Sequence, residues 1–244
     1  MSGTILAGEA VAPIDTEVAP TIDNDAWRFK ITPYVLIPTL SGNIKTGGGG
    51  DIDLPTDNAE SDWQFSVPLA LDLGKGRWGV GLEFFYLGYS GKAALDDDAL
   101  IGQRLDFDST LTHTKAFAYY RALENEKHLL DFYAGANVIY FKFETELSGL
   151  FNGSANSSTT WVDPVIGARY HYNINDKWQI FSRGELGAGD SSVAWDAMLG
   201  IDYVLSDHWA FGAGYRSIGL DFSSSEADYN IQLNGPIISA SYTF

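Results

Sequence analysis

The stretch Trp78-Gly79-Val80-Gly81-Leu82-Glu83-Phe84-Phe85-Tyr86 decides the fold. Trp78, Val80, Leu82, Phe84 and Tyr86 take every second position, and Arg77, Gly79, Gly81, Glu83 and Phe85 fill the positions between. Successive side chains of a β-strand point to opposite faces, so this stretch builds a strand with one greasy, aromatic face and one small or polar face. The same period runs through Trp27, Phe29, Ile31, Val35 and Ile37, set against Arg28, Lys30, Thr32 and Tyr34. It recurs in Trp63, Phe65, Val67, Leu69 and Leu71, set against Gln64, Ser66, Ala70 and Asp72. A helical period of about 3.6 fits none of these stretches. The chain is expected to be all-β.

Working outward, strands are expected near 105–121, 128–146, 158–173, 177–189, 193–205, 208–222 and 229–244, which brings the count to ten. Short turns fall at Gly74-Lys75-Gly76, Glu124 to Lys127, Asn175-Asp176 and Ser206-Asp207, and longer loops at 39–60, 90–104, 147–157, 188–192 and 223–228. An even strand count with short and long connections in alternation is the pattern of a transmembrane barrel. A tilted barrel strand crosses the bilayer in about 9–11 residues, whereas strands of soluble sheets average about 5–6. The expected architecture is therefore a single closed antiparallel transmembrane β-barrel of ten strands over residues 26–244, with eight strands as the alternative if one hairpin lies outside the bilayer. The short turns and both termini would face the periplasm. Trp27, Trp63, Trp78, Trp178 and Trp209, with Phe244, lie near strand ends and read as aromatic residues of the membrane interface.

Composition narrows the function. The 244 residues carry 15 Lys and Arg against 32 Asp and Glu, a formal charge of −17. Affinity for nucleic acid comes largely from cations that neutralise phosphates, so nucleic acid is excluded as a partner. The absence of cysteine removes disulfides, thiolate-bound zinc and thiol nucleophiles. No run of about 18 uncharged apolar residues exists; the longest candidate, Leu129 to Phe141, is interrupted by Asp131 and Asn137. Residues 1–25 are small, acidic and dotted with prolines, and read as a flexible periplasmic leader. Met1 to Pro20 has no basic n-region and carries Glu9, Asp15 and Glu17. A secretion signal is therefore not expected in this chain, which reads as a mature form.

The chain stops at Ile238-Ser239-Ala240-Ser241-Tyr242-Thr243-Phe244, where apolar or aromatic residues alternate with small polar ones up to a terminal phenylalanine. This resembles the C-terminal signal read by the outer-membrane barrel-assembly machinery of Gram-negative bacteria. From Trp161 onward the sequence also resembles a family of small proteobacterial outer-membrane β-barrel proteins, porin-like and largely uncharacterised. The matching residues are Trp161-Val162-Asp163-Pro164, Gly167-Ala168-Arg169, Asn175-Asp176-Lys177-Trp178 and Arg183-Gly184-Glu185. They continue through Trp195, Ser206-Asp207-His208-Trp209, Gly214-Tyr215-Arg216, Leu220-Asp221 and Gly235-Pro236. The resemblance implies a barrel in the bacterial outer membrane, with outer-membrane lipids and the assembly machinery as partners. It implies little about activity.

With greasy residues outward, the lumen is expected to receive Lys30, Glu83, Asp163, Arg169, Arg183, Glu185, Asp196, Asp202 and Arg216, with Arg183 opposite Asp196 in a regular hairpin. Two readings follow. Either these charges neutralise one another and fill a narrow barrel, or they line a small polar pathway for small solutes. Catalytic constellations are weak. None of His113, His128, His171 and His208 is followed within two residues by the serine of a lipid A deacylase-like site, and Asp106, Asp108 and His113 are the nearest approach to an omptin-like protease. Asp51, Asp53, Asp57, Glu60 and Asp62, and Asp96-Asp97-Asp98, crowd two loops without a calcium-loop spacing. No metal or cofactor is implied. The expected function is a non-enzymatic outer-membrane barrel, structural or a narrow channel with a charged lumen. The alternatives are a lipid-modifying enzyme or protease of the outer membrane, and a soluble lipocalin-like ligand-binding barrel. The lipocalin version would leave Gly79, Gly81, Gly212 and Gly214 as a poor soluble exterior.

Overall fold

A computed structural model describes residues 26–46, 51–54, 60–65, 68–95, 103–149, 152–223 and 227–244. Residues 1–25, expected to form a leader, and the aspartates at 96–98 lie outside them. The strands are β1 (Trp27–Leu36), β2 (Thr39–Thr46), β3 (Asp51–Leu54), β4 (Glu60–Phe65), β5 (Leu69–Lys75), β6 (Trp78–Leu95) and β7 (Gln103–Glu124). They continue with β8 (His128–Ser148), β9 (Gly153–Asn173), β10 (Trp178–Gly187), β11 (Val193–Val204), β12 (Trp209–Ser223) and β13 (Ala227–Thr243). No helix occurs among the described residues.

Ten strands close a ring. β1 pairs with β5, neighbours then follow in chain order from β5 to β13, and β13 returns to β1 with Ile31 opposite Tyr242. All pairs in the ring are antiparallel. Closure leaves no free edge within the bilayer, where an unsatisfied backbone group costs several kcal/mol. Three short strands add to one end: β2 lies along β13, β3 along β2, and β4 along β6. Pro38 separates β1 from β2, because proline has no N–H for the ladder. The expected loop 39–60 thus holds β2 and β3, and β6 runs to Leu95 and β9 starts at Gly153, inside the expected loops 90–104 and 147–157.

The short turns are built by local chemistry. Gly76, at φ 57°, takes the first position of the two-residue turn between Lys75 and Trp78, where a side chain would be strained. Asn125 Oδ1 accepts from the backbone N–H groups of Lys127 and His128 at 3.0 and 2.9 Å. Asn175 does the same for Lys177 and Trp178 at 2.9 and 3.0 Å, and Ser206 Oγ accepts from Trp209 N–H at 3.2 Å. Side chains that bond the backbone two and three residues on mimic a turn and stop the strand.

The outer face carries Val80, Leu82, Phe84, Phe132, Val162, Ile166, Leu186, Leu199, Phe211, Tyr215 and Ile238, all exposed. Such a band is an aggregation hazard in water and a match for lipid. At the short-turn end it is bordered by cross-strand aromatic pairs. Trp78 meets Tyr120, Trp178 meets Tyr203 and Trp209 meets Tyr242, with ring centroids 4.9–5.0 Å apart. Phe244 packs on Phe29 and Tyr242 in the same belt, and Trp27 is exposed beside it. On β4, Trp63 stands opposite Tyr89 in the register, towards the long-loop end, and its side chain lies outside the described ones.

Candidate functional site

Alternation on ten strands points one residue in two into the lumen, and in the middle of the barrel those residues are charged. Glu83 on β6, Lys115 on β7, Arg183 and Glu185 on β10, Asp196 on β11 and Arg216 on β12 form one connected layer. Lys115 Nζ lies 3.0 Å from Glu185 and 3.6 Å from both Glu83 and Asp196. Arg183 bridges Glu83 at 2.7 Å and Asp196 at 2.6 Å. Arg216 donates from Nε and Nη2 to Asp196 at 3.2 and 2.7 Å, and also pairs with Glu83. Tyr34 accepts from Arg216 at 2.7 Å and donates to Glu83 at 2.8 Å, while Asn137 donates to Glu185 at 2.9 Å. Three cations face three carboxylates, so the layer is neutral. Lys115, Glu83 and Arg216 have 0 %, 2 % and 1 % of their surface exposed. A buried charge demands such pairing, since an unpaired one costs several kcal/mol.

Arg183 and Asp196 do not stand directly opposite. The hairpin pairs Arg183 with Met198 and Glu185 with Asp196, so the ion pair is diagonal. The turn over 188–192 folds inward, with Ser191 donating from N and Oγ to Asp163 at 2.8 and 2.7 Å, and this sets the register. Asp163 is therefore held by a loop, outside the ionic layer. Nearer the short turns, Arg169 bridges Asp72 at 2.6 Å and Asp131 at 3.0 Å, and Arg121 bridges Asp131 at 2.9 Å. Lys30 and Asp202 line a cavity of about 140 Å³ between these groups and the central layer, together with Arg169, His171, Arg183 and Ser239.

Two residues further towards the long loops the lumen turns apolar on four of the strands, while on β7 His113 stands above Lys115. Phe85 follows Glu83, Ile218 follows Arg216, Ile139 follows Asn137, and Trp161 sits above Asp163. Tyr34, Leu36, Phe85, Leu87, Ile218, Leu233 and Ile237 pack into one buried cluster, with Ile139, Phe141 and Trp161 in a second beside it. Greasy-out and polar-in thus fails in the upper lumen, and in the lower lumen Tyr119, Tyr133 and Phe181 are buried among the polar groups. A side chain inside a barrel this narrow can be satisfied by packing as well as by pairing.

Histidines and acids do not converge. His113 is buried in the lumen, its ring 4.8 Å from that of Phe85. Asp106 and Asp108 alternate with it along β7 and fall on the opposite face, so the acid–histidine set does not assemble. No metal-holding group of His, Asp and Glu occurs among the described residues. The side chains of Asp51, Asp53, Asp57, Glu60 and Asp62 lie outside them.

A family model described as "Protein of unknown function, DUF481" matches residues 118–218, the span that runs from Asp131 through Arg169, Arg183, Glu185 and Asp196 to Arg216. No curated protein matches the sequence. Among solved structures, the chain is similar to the outer membrane protease OmpT of Escherichia coli, at 10 % identity and a TM-score of 0.57, covering 91 % of this chain and 98 % of that one. It is also similar to Ail, the attachment invasion locus protein of Yersinia pestis, at 14 % identity, a TM-score of 0.37 and 90 % and 99 % coverage. A Pseudomonas aeruginosa FadL homologue matches at 10 % identity, a TM-score of 0.36 and 90 % of each chain. The likeness to OmpT is one of fold. That fold is the bacterial outer-membrane β-barrel.

Proposed function

We propose that the chain is a non-enzymatic, structural barrel of the outer membrane whose lumen is closed and whose working surface is the sheet standing on its long-loop end. The observation that carries this reading is the neutral, buried layer of Glu83, Lys115, Arg183, Glu185, Asp196 and Arg216, capped by apolar side chains. A solute would have to break paired charges and then cross a packed apolar layer. Outer-membrane lipids would cover the band from Val80 to Ile238, and the assembly machinery would take the strand ending in Phe244. The narrow-channel reading has the cavity beside Lys30 and Asp202 in its favour. Single-channel recording of the refolded protein in a planar bilayer separates the two, with folding checked by heat-dependent gel mobility. A silent bilayer is expected; a steady conductance altered by Arg183→Ala would overturn closure.

A further inference from the structure

β7, β8 and β9 have 22, 21 and 21 residues, whereas β10 and β11 have 10 and 12. A membrane crossing needs about 9–11, so β6–β9 rise as a wall and β10–β11 stop below it. The consequence falls on β9. Its pairing with β8 runs up to Gly153, opposite Leu147, but its pairing with β10 begins only at Val165. The 188–192 turn covers the strand as far as Val162, whose N–H is bonded by Asp190 at 2.8 Å. From Gly153 to Thr160, Gly-Ser-Ala-Asn-Ser-Ser-Thr-Thr, no described strand lies on the other side, and nearly every residue is exposed on both faces. Natural edges are blunted by lysine, proline, inward charge or a bulge. This one has none of these.

We propose that the free edge of β9 binds an extended basic segment of a partner protein, which adds to the sheet as one more strand. The edge supplies the main-chain bonds, and the neighbouring strands select the charge. On the outward face Asn156 stands opposite Glu144, which stands opposite Asp108; one step higher, Ser154 stands opposite Glu146, which stands opposite Asp106. Each row thus runs from a short neutral residue at the edge to two carboxylates behind it. A strand added to β9 would lie two strand spacings, about 9–10 Å, from Glu144 and Glu146. An arginine or lysine on the outward face of the added strand and a glutamate span that distance together over the short Ser154 and Asn156. Lys142, 2.8 Å from Glu144, offsets part of the charge and leaves the rows negative. A second copy of the chain would bring the same carboxylates and be repelled. Strand addition of this kind takes affinity from the backbone and specificity from alternate side chains.

The test uses the full chain folded in detergent micelles and two dye-labelled octapeptides that alternate lysine with threonine, one with free backbone N–H groups and one with every backbone nitrogen methylated. The two carry equal charge, but the methylated backbone cannot donate to a ladder. Fluorescence anisotropy should show the unmethylated peptide binding at least about tenfold more tightly, because the other forfeits several main-chain bonds. Hydrogen exchange should slow at 153–160 on binding, and Glu144→Gln with Glu146→Gln should weaken binding about three- to tenfold. Equal binding of the two peptides, no binding, or protection outside 153–160 would overturn the proposal. Both peptides act outside the lumen, so the result is independent of whether the barrel conducts.

Discussion

At the scale of single residues, Lys115 is the cation on which the ionic layer turns, since it alone touches Glu83, Glu185 and Asp196. Lys115→Met would leave three buried carboxylates to two arginines. A loss of about 3–5 kcal/mol is expected from urea unfolding in lipid vesicles, the usual cost of removing one partner from a buried pair. Glu185→Gln added to it should recover part of that loss, and a Lys115→Met barrel as resistant to urea as the parent would refute the charge balance. Lys115 was not legible in the sequence. On β7 the inward residues His113, Lys115, Phe117 and Tyr119 look greasier than the outward Thr112, Thr114, Ala116 and Ala118, so hydrophobicity assigns the faces the wrong way round. Glu83, Arg183, Glu185, Asp196 and Arg216 were legible, because each interrupts a strand whose other face is plainly apolar. Asp163 was read into the same lumen, but its bond to Ser191 depends on a loop folding inward, which no alternation predicts.

At the scale of elements, inverted strands such as β7 are explained by their neighbours. The Tyr119 ring lies over Gly79 on β6, where a Cβ would overlap it, and the Arg169 guanidinium lies 4.3 Å from the centre of the same ring. Phe117 lies over Gly81 in the same way. The small face of β6 and the large face of β7 are one packed layer, so the glycines that read as a polar face are room for rings. Gly79→Ala should therefore cost about 1–3 kcal/mol, the usual penalty for overpacking. In a Tyr119→Ala background the same substitution should cost far less, and equal costs in both backgrounds would break the link. The ten crossings and their turns were legible because period two and the Asn125, Asn175 and Ser206 turns are local signals. β7 and β8 were legible as long strands over 105–121 and 128–146, but the upper ends of β6 and β9 were not, because beyond the lipid a strand no longer needs a greasy face and its pattern fades into loop-like composition.

At the scale of the whole molecule, the proposed closure would rest on two layers in series that differ in chemistry. If each layer blocks the lumen alone, removing either should leave the barrel silent. Glu83→Ala with Arg183→Ala deletes one charge of each sign and keeps the ionic layer neutral, which spares the fold the cost of an unpaired charge. Phe85→Ala with Trp161→Ala thins the apolar layer, at the few kcal/mol that large-to-small substitutions of buried aromatics carry, about 3–5 each. The ring of backbone pairs from β1 round to β13 is untouched by either change and should still give the heat-dependent gel shift of a closed barrel. Each double variant is expected to be silent in a planar bilayer, and the quadruple variant to conduct. Conductance from the ionic double variant alone would mean that Phe85 and Trp161 do not seal the lumen, and the charged residues would then be the whole gate. Silence from the quadruple variant would place further closure nearer the short turns, where Arg169 is clasped by Asp72 and Asp131 and Tyr119 lies beneath it.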